Sequence, residues 1–410
     1  DGRTKLIKFK SPINTGVWMY FEQSGPIYGE NAAPVYWETT IAPEIVALGF
    51  ERGENERCVF KDPDDELTIG LYVDDMFMDG EEAKVEAFDQ DIDVDHGGKF
   101  ICKPIEFLTP ETPIDFIGCI IMEDATHVYL SMEPYIQGMM IRFKDIIETL
   151  PKKEVVLPMS GPIDPESQPL SAALVKLFLE ILGCCGWLSN TGRPDMTHAH
   201  SRIGQHTAKP TQSALDACVH ALHYLRDNQD WCLRMPKNSE DVKLEDLFKP
   251  DFADPNNSGV DPDSFPDQHG WTFYADSDHA GNAEVQNKRR SQNGYCAAVD
   301  GGLVMWASKV TGVAFATPLI GESHPDMSSG SAEVYTTGNA TLALLGMSYV
   351  MEEAGVPFPY PMMLQLDNKA AIAFCNDNAN KTNLKHIDCR QEWCRTIRDK
   401  KVMRPTHVKS

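Results

Sequence analysis

An acidic pair between two apolar runs is the feature that most restricts how this chain can fold. The stretch "LTIGLYVDDMFMDG" runs from Leu67 to Gly80, with Asp74 and Asp75 near its middle. Apolar segments of β-forming residues around a short polar interruption predict two strands joined as a β-hairpin. Aspartates at a hairpin tip are a polar turn in most proteins. Adjacent carboxylates are also suited to holding a divalent cation, so both interpretations stay open at this point.

Length and composition indicate a folded protein of more than one domain. The chain has 410 residues, of which 42% are hydrophobic and 9% aromatic, enough for two or three domains. It begins with Asp1 and shows no signal-like segment, so we expect a piece of a longer protein. We expect no apolar run to reach the roughly 20 residues of a membrane-spanning helix. The 11 cysteines lack paired spacing, which favours free thiols in a reducing compartment.

Charge argues against simple electrostatic binding of nucleic acid. The formal net charge is -24, which repels a phosphate backbone at long range. Two local segments are basic, however: residues 288–290, and residues 381–410, where nine Lys/Arg and three Asp/Glu give +6. A solvated face is the more frequent explanation of such a segment, and a local nucleic-acid contact is the alternative.

The pattern of apolar residues predicts an α+β, mixed α/β protein. Helices are expected at 34–50, 81–92, from Pro134 onward, within 171–227, and at 331–355, 369–376 and 386–399. Strands are expected at 58–60, 67–73, 76–80, 98–103, 115–122, 127–131, 271–276, 293–299, 303–308, 312–316, 362–366 and 402–408. The proline-rich, acidic stretch 236–270 is expected to be a linker.

Three further carboxylates lie where predicted elements begin or end. Asp276 lies in a predicted strand, Glu333 opens the long predicted helix, and Asp367 follows a later strand. Each acid taken alone is most simply a cap. Acids from a strand, a helix and a second strand can also converge on one cleft. Convergent carboxylates can hold two Mg²⁺ ions about 4 Å apart and support phosphodiester chemistry.

Ordered motifs over nearly the whole chain resemble the Pol polyprotein of copia-type LTR retrotransposons. The first part carries "IYGENAAPVYW", "LGFERGENERCVF", "YVDD", "FICK", "FIGCII" and "YLSMEPYI", followed by "LGCCGWLSNTGRPDMTHAHSRIGQHTAKPT". The last part carries "YADSDHAG", "KRRSQNGY", "MWASK", "SAEVY", "DNKAAIA" and "KHIDCR". The first set resembles a reverse transcriptase and the second a ribonuclease H domain.

The resemblance implies four regions. A partial reverse transcriptase with fingers and palm would occupy residues 1–150, and thumb/connection helices residues 151–235. The linker at 236–270 would precede a ribonuclease H-like domain at 271–410 that lacks its last helix.

The resemblance also implies roles for the acids. Asp74 and Asp75 would ligate the Mg²⁺ (or Mn²⁺) ions of a polymerase site, where a primer 3′-hydroxyl attacks a nucleotide. Asp276, Glu333 and Asp367 would ligate the ions of a ribonuclease H site. That site would cleave RNA in an RNA–DNA hybrid recognised by its shape and 2′-hydroxyls.

Three other residues are implied at the polymerase site. Tyr28 and Gly29 would lie near the incoming nucleotide and the template, and Lys103 would assist the departure of pyrophosphate.

The implied partners are an RNA template, RNA–DNA hybrids, dNTPs and the rest of the polyprotein, including its upstream palm strands, downstream helix and integrase, without a membrane. The implied localisation is a cytoplasmic virus-like particle and the nucleus, not the secreted space.

The match departs from the family at both ends. Nothing in residues 1–26 resembles the family's strand with the third polymerase carboxylate, and "RPTHVKS" ends before the fourth ribonuclease H aspartate. We therefore expect this chain alone to be inactive as a polymerase, and we leave its ribonuclease H activity open. The alternative is a degenerate or repurposed remnant that binds nucleic acid or another partner without catalysis.

Overall fold

The computed structural model divides the chain into two compact units. One contains Asp1–Ile105 with Glu353–Val356, and the other contains Glu106–Glu352 with Pro357–Ser410. Described within them are residues 6–10, 18–22, 33–64, 66–148, 155–237, 270–278, 291–310, 315–316, 323–324, 329–376 and 385–408.

The first unit is built on short antiparallel strands and two helices. Its elements are β1 (Leu6–Lys10), β2 (Trp18–Glu22), α1 (Ala33–Ala47), β3 (Glu51–Arg52), β4 (Val59–Lys61), β5 (Leu67–Tyr72), β6 (Asp75–Gly80) and α2 (Glu82–Ile92). Strands β1 and β2 pair with each other, and the order β3-β4-β5-β6 forms a four-stranded sheet. Alternate side chains of β5, namely Leu67, Ile69 and Leu71, are buried, which agrees with the period of two expected of a half-buried strand.

The strand predicted at 98–103 is absent, which corrects the sequence prediction. After α2 the chain forms a single 3₁₀ turn, Val94–His96, and folds back on the end of the helix. The amides of Lys99 and Phe100 both donate to the carbonyl of Ile92, at 3.0 and 3.1 Å. Because these backbone groups are used in closing the turn, they are not available for pairing in a sheet.

The second unit begins with an antiparallel sheet and a group of helices. Its elements are β7 (Ile114–Phe116), β8 (Cys119–Glu123), β9 (His127–Ser131), α3 (Glu133–Arg142), α4 (Lys144–Ile147), α5 (Ala172–Thr191), a 3₁₀ turn (Pro194–Met196), α6 (Thr197–Gly204), α7 (Gln212–Asp227) and β10 (Cys232–Pro236). The sheet order is β10-β9-β8-β7. The single strand predicted at 115–122 is in fact two strands, because Ile117 and Gly118 adopt positive φ angles and form a turn.

Helix α5 corrects the prediction that no segment could cross a membrane. By its length and composition alone it could do so, and it is the one helix among the described residues that passes this test. Core helices pass the same test, so the observation is weak evidence. Phe178, Ile181 and Leu188 of α5 are fully buried in the core that α5 shares with α3 and α7.

A buried arginine joins the end of α5 to α7. Arg193 is 1% exposed; its guanidinium donates to both carboxylate oxygens of Asp195 and to the carbonyl of Asn228. The hydroxyl of Tyr224 also donates to Asp195, at 2.8 Å. Burial and this hydrogen bond to Asp195 raise the pKa of Tyr224 to about 12. The cluster satisfies a buried charge that would otherwise be strongly destabilising.

The rest of the second unit is a mixed sheet with three helices. Its elements are β11 (Trp271–Asp278), β12 (Gln292–Val299), β13 (Gly302–Val310), β14 (Phe315–Ala316), β15 (Ser323–His324), α8 (Ser329–Glu353), β16 (Met362–Leu366), α9 (Lys369–Asn376), α10 (Lys385–Asp399) and β17 (Met403–His407). The sheet order is β13-β12-β11-β16-β17. Strands β11 to β13 are antiparallel, whereas β16 pairs in parallel with both β11 and β17.

The predicted fold class is confirmed: the protein is a mixed α and β structure. Of the predicted strand at 312–316, only Phe315 and Ala316 are described, and they form β14. Most of the predicted linker at 236–270 lies outside the described residues. The division of the chain into the four regions given above remains a prediction.

The arginine cluster generates a stability prediction. We expect Asp195→Ala to lower the free energy of unfolding by about 3 kcal/mol, because it leaves Arg193 buried without its carboxylate. Chemical denaturation followed by tryptophan fluorescence measures the change.

The matched control is Arg142→Ala, which removes a solvent-exposed ion pair with Glu180 at 3.3 Å. Such surface pairs contribute about 1 kcal/mol or less. Equal destabilisation by the two variants would contradict the importance assigned to the buried cluster.

Candidate functional site

Three carboxylates meet at one edge of the mixed sheet. Asp276 lies near the end of β11, Asp367 directly follows β16, and Glu333 lies in the first turns of α8. One ligand oxygen from each residue can be chosen such that all lie within 4.8 Å of one another. This is the one group of three or more His, Cys, Asp or Glu side chains with such spacing in the part of the chain that the structure describes.

The strand pairing explains why the two aspartates meet. Strands β11 and β16 run in parallel, with Phe273 opposite Leu364 and Tyr274 opposite Gln365. Continuing this register brings Asp276 level with Asp367 at the carboxyl ends of both strands. The carboxyl edge of a parallel pair is where ligand sites of such sheets form. The parallel pairing of β11 with β16 therefore explains why the two aspartates predicted at strand ends lie close together.

The three acids differ in exposure. Asp276 and Asp367 are exposed, whereas Glu333 is 4% exposed. Burial, followed by the charges of Asp276 and Asp367, raises the pKa of Glu333 to about 8, and the amide of Ser277 donates a hydrogen bond that partly opposes this shift. Glu333 Oε2 is buried and has no hydrogen-bond partner among the described residues. A buried carboxylate oxygen without a partner is costly unless a cation or proton satisfies it.

These features fit a divalent cation. Carboxylate oxygens are the ligands that Mg²⁺ and Mn²⁺ prefer. One oxygen of Glu333 has no hydrogen-bond partner among the described residues, and Glu333 has a carboxylate oxygen within 4.8 Å of an oxygen of each of the other two acids. Asp276, Glu333 and Asp367 are the residues that would hold the ion or ions.

Helix α6 borders the same sheet. The side chain of Gln292, which pairs in register with Asp278, donates to Ser201 of α6 at 3.0 Å and to Ser308 at 2.8 Å. The indole of Trp306 on β13 donates to the carbonyl of Ser189 at 2.6 Å. The helical part of the second unit is therefore in direct contact with the mixed sheet, which the sequence did not indicate.

The predicted hairpin is present, with the acidic pair at its tip. Strands β5 and β6 pair antiparallel, and Tyr72 opposite Asp75 closes a loop of two residues, Val73 and Asp74. Both aspartates are exposed. No third His, Cys, Asp or Glu among the described residues joins them within ligand spacing. The pair is thus open to solvent.

The hairpin loop has an unusual backbone. Val73 has a φ angle of 54°, and Asp74 is not among the residues with positive φ. A left-handed conformation costs a residue with a Cβ roughly 1–2 kcal/mol, and a β-branched residue there is an outlier. The indole N–H of Trp37, on α1, donates to the carbonyl of Val73. Neither Trp37 nor Val73 was assigned a role from the sequence, although a two-residue loop without glycine was a signal of strain.

Of the other predicted site residues, Lys103 is described by the structure. Tyr28 and Gly29 lie outside the described residues. Lys103 is exposed in a segment without regular secondary structure. The ten described cysteines are thiols outside any disulfide, as predicted.

A family model matches the first part of the chain. Its description is "Reverse transcriptase (RNA-dependent DNA polymerase)", and it matches residues 18–154. This range contains the hairpin with Asp74 and Asp75. The predicted resemblance to reverse transcriptase is therefore confirmed for this region.

Two curated relatives extend the similarity. The putative transposon Ty5-1 protein of Saccharomyces cerevisiae is 23% identical over 297 residues, which are 72% of this chain and 82% of the relative. The retrovirus-related Pol polyprotein from transposon RE2 of Arabidopsis thaliana is 22% identical over 93% of this chain, but the match covers 23% of that polyprotein. The predicted resemblance to a retrotransposon Pol polyprotein is confirmed, and the chain spans under a quarter of the plant relative.

Among solved structures, the chain is similar to RNase H1 from the halophilic archaeon Halobacterium salinarum NRC-1. The match has 16% identity and a TM-score of 0.23, and it covers 33% of this chain and 83% of that one. A TM-score this low adds no weight to the arrangement of strands and acids described above.

The environment of Glu333 generates a pH prediction. Its pKa is raised from 4.5 to about 8 in the folded chain without a metal. The folded state therefore holds this proton more tightly than the unfolded state, so the contribution to stability is lost as pH rises between these two values. In the presence of a chelator, we expect the stability of the parent relative to Glu333→Gln to fall across that window.

Chemical denaturation at a series of pH values measures this difference. Glu352→Gln, at an exposed position of the same helix, is the control and should follow the parent. A difference between the parent and Glu333→Gln that stays constant with pH would contradict the assignment.

Proposed function

We propose that the chain is part of a retrotransposon polyprotein whose second unit hydrolyses the RNA strand of RNA–DNA hybrids. The observation that carries the proposal is the convergence of Asp276, Glu333 and Asp367 within one ligand spacing. When bound there, divalent cations would activate a water and stabilise the leaving oxygen of a phosphodiester. The order of motifs around the three acids supports ribonuclease H among the reactions that such ions serve.

The three acids have different proposed roles, which follow from their exposure to solvent. Asp276 and Asp367, both exposed, face the side from which a nucleic-acid backbone can approach. Glu333, buried beneath them, must lose its proton before it can bind a cation, because its pKa is about 8 in the metal-free chain. Without cations the charged carboxylates of Asp276 and Asp367 repel phosphate, so we expect hybrid binding at this edge to depend on the metal.

Cleavage of a labelled RNA–DNA hybrid tests the proposal. With Mg²⁺ or Mn²⁺, the purified chain is expected to cut the RNA strand, and Asp276→Asn and Glu333→Gln are expected to reduce cutting to background. Glu352→Gln, on the exposed face of α8, is the matched control and should retain activity. Cleavage by the two site variants at the parental rate would refute the assignment and indicate a contaminating nuclease.

We propose, as a second function, that the hairpin of the first unit is the metal-binding part of an RNA-directed DNA polymerase site. Its support is the two-residue loop that carries Asp74 and Asp75 at an exposed tip, within the range that matches the reverse transcriptase model. Template RNA and dNTPs are the proposed substrates. Because no third ligand joins the pair among the described residues, we expect no primer extension by this chain alone.

A non-catalytic remnant is the alternative to both enzymatic functions. It predicts that the chain binds a hybrid or another partner equally well with and without Mg²⁺. Hybrid binding measured by fluorescence anisotropy, with no cleavage in either Mg²⁺ or Mn²⁺, would favour the remnant. Primer extension with Mn²⁺ that disappears in Asp74→Asn would instead contradict both the remnant and the expected inactivity.

A further inference from the structure

We propose that Trp37 is a positioning residue that holds the turn at Val73 and thereby sets the direction of Asp74 and Asp75. The inference deepens the polymerase site proposed above and rests on it.

Val73 occupies a position that hairpins usually give to glycine. Two-residue hairpin loops take turns with positive φ, and the turn with positive φ at its first loop residue alone normally has glycine there. Val73 is that first residue, with a φ of 54°, and Asp74 does not share the positive φ. Because valine branches at Cβ, the loop has a tendency to leave this conformation unless a contact opposes it.

Trp37 supplies such a contact. Its indole N–H donates to the carbonyl of Val73 from a helix 36 residues earlier in the chain. The direction of that carbonyl depends on the backbone of Val73, so a donor at a defined place selects one turn geometry. The helix is anchored, since Ile41 and Ile45 of α1 are fully buried.

A second ring limits the movement of the indole. Phe100 contacts Trp37 edge to face, with ring centroids 5.6 Å apart and planes at 76°. Phe100 is itself held by the backbone turn that follows α2, where its amide donates to Ile92. The donor therefore belongs to a supported side chain, as a positioning residue requires.

The two carboxylates directly follow the strained residue. Asp74 is the second loop residue and Asp75 the first residue of β6. Any change in the Val73 backbone changes the direction of the peptide that leads into Asp74. Since both aspartates are exposed, few other contacts restrict them, and the turn is the main determinant of how the pair is presented.

The alternative role for Trp37 is packing alone. Trp37→Phe separates the two roles, because phenylalanine keeps an aromatic ring but lacks the N–H donor. Adding Val73→Gly provides a rescue, because glycine adopts positive φ without strain and does not need the donor. Packing alone predicts no rescue by glycine. Trp231→Phe, at an exposed tryptophan of the second unit, is the matched control.

The first measurement reports on the backbone of the turn at Val73. In chains with isotope-labelled valine carbonyls, we expect the Val73 NMR signal to shift or broaden in Trp37→Phe and to stay unchanged in Trp231→Phe. An unchanged Val73 signal in Trp37→Phe would overturn the inference.

The second measurement reports on Mn²⁺ binding by Asp74 and Asp75. Mn²⁺ binding is followed by the EPR signal of the free ion, in chains that also carry Asp276→Asn and Asp367→Asn to silence the other site. We expect Trp37→Phe to weaken Mn²⁺ binding about fivefold, as loss of one ordinary hydrogen bond does. Trp37→Phe with Val73→Gly is expected to recover most of that loss.

The double variant Asp74→Asn with Asp75→Asn distinguishes failure of the positioning role from failure of the proposed metal site. If Asp74→Asn with Asp75→Asn leaves Mn²⁺ binding unchanged, the polymerase metal site itself fails. If binding depends on Asp74 and Asp75 but not on Trp37, or if Val73→Gly gives no recovery, the positioning role is overturned.

Discussion

The parallel pairing of β11 with β16 is the constraint on which the second unit depends. Strand β11 is hydrogen-bonded on both sides, antiparallel to β12 and parallel to β16. The pairing brings two strand ends with aspartates to one edge, and α8 adds Glu333 beside them. Phe273 and Leu364, opposite each other in this pair, are fully buried. The apolar core thus holds together three acids that repel one another.

The two acidic sites differ in how the repulsion between their carboxylates is reduced. In the second unit one acid is buried, and burial together with two neighbouring charges favours its protonated form in the absence of a cation. In the first unit both acids remain exposed, so water screens their repulsion. Under the proposals above, metal binding would be coupled to loss of the Glu333 proton at one site and to the geometry of the Val73 turn at the other.

Much of the secondary structure was predictable because the apolar pattern has a local cause. The strands at 127–131 and 362–366 and the helix at 369–376 were predicted to the residue. The strand expected at 98–103 failed because backbone groups of Lys99 and Phe100 bond to the end of α2. Strand β10 was missed because it pairs with β9, which lies more than 100 residues earlier in the chain, beyond the reach of local patterns.

The sequence by itself determined the resemblance to a retrotransposon Pol polyprotein, the mixed fold class and the choice of five candidate acids, because motif order and local periodicity are carried by neighbouring residues. Tertiary structure alone decided that Asp276, Glu333 and Asp367 share one site, that Glu333 is the buried member, and that Trp37 reaches the hairpin loop. Proximity, burial and the direction of a hydrogen bond are properties of distant segments brought together. They arise only when the strands pair and the helices pack.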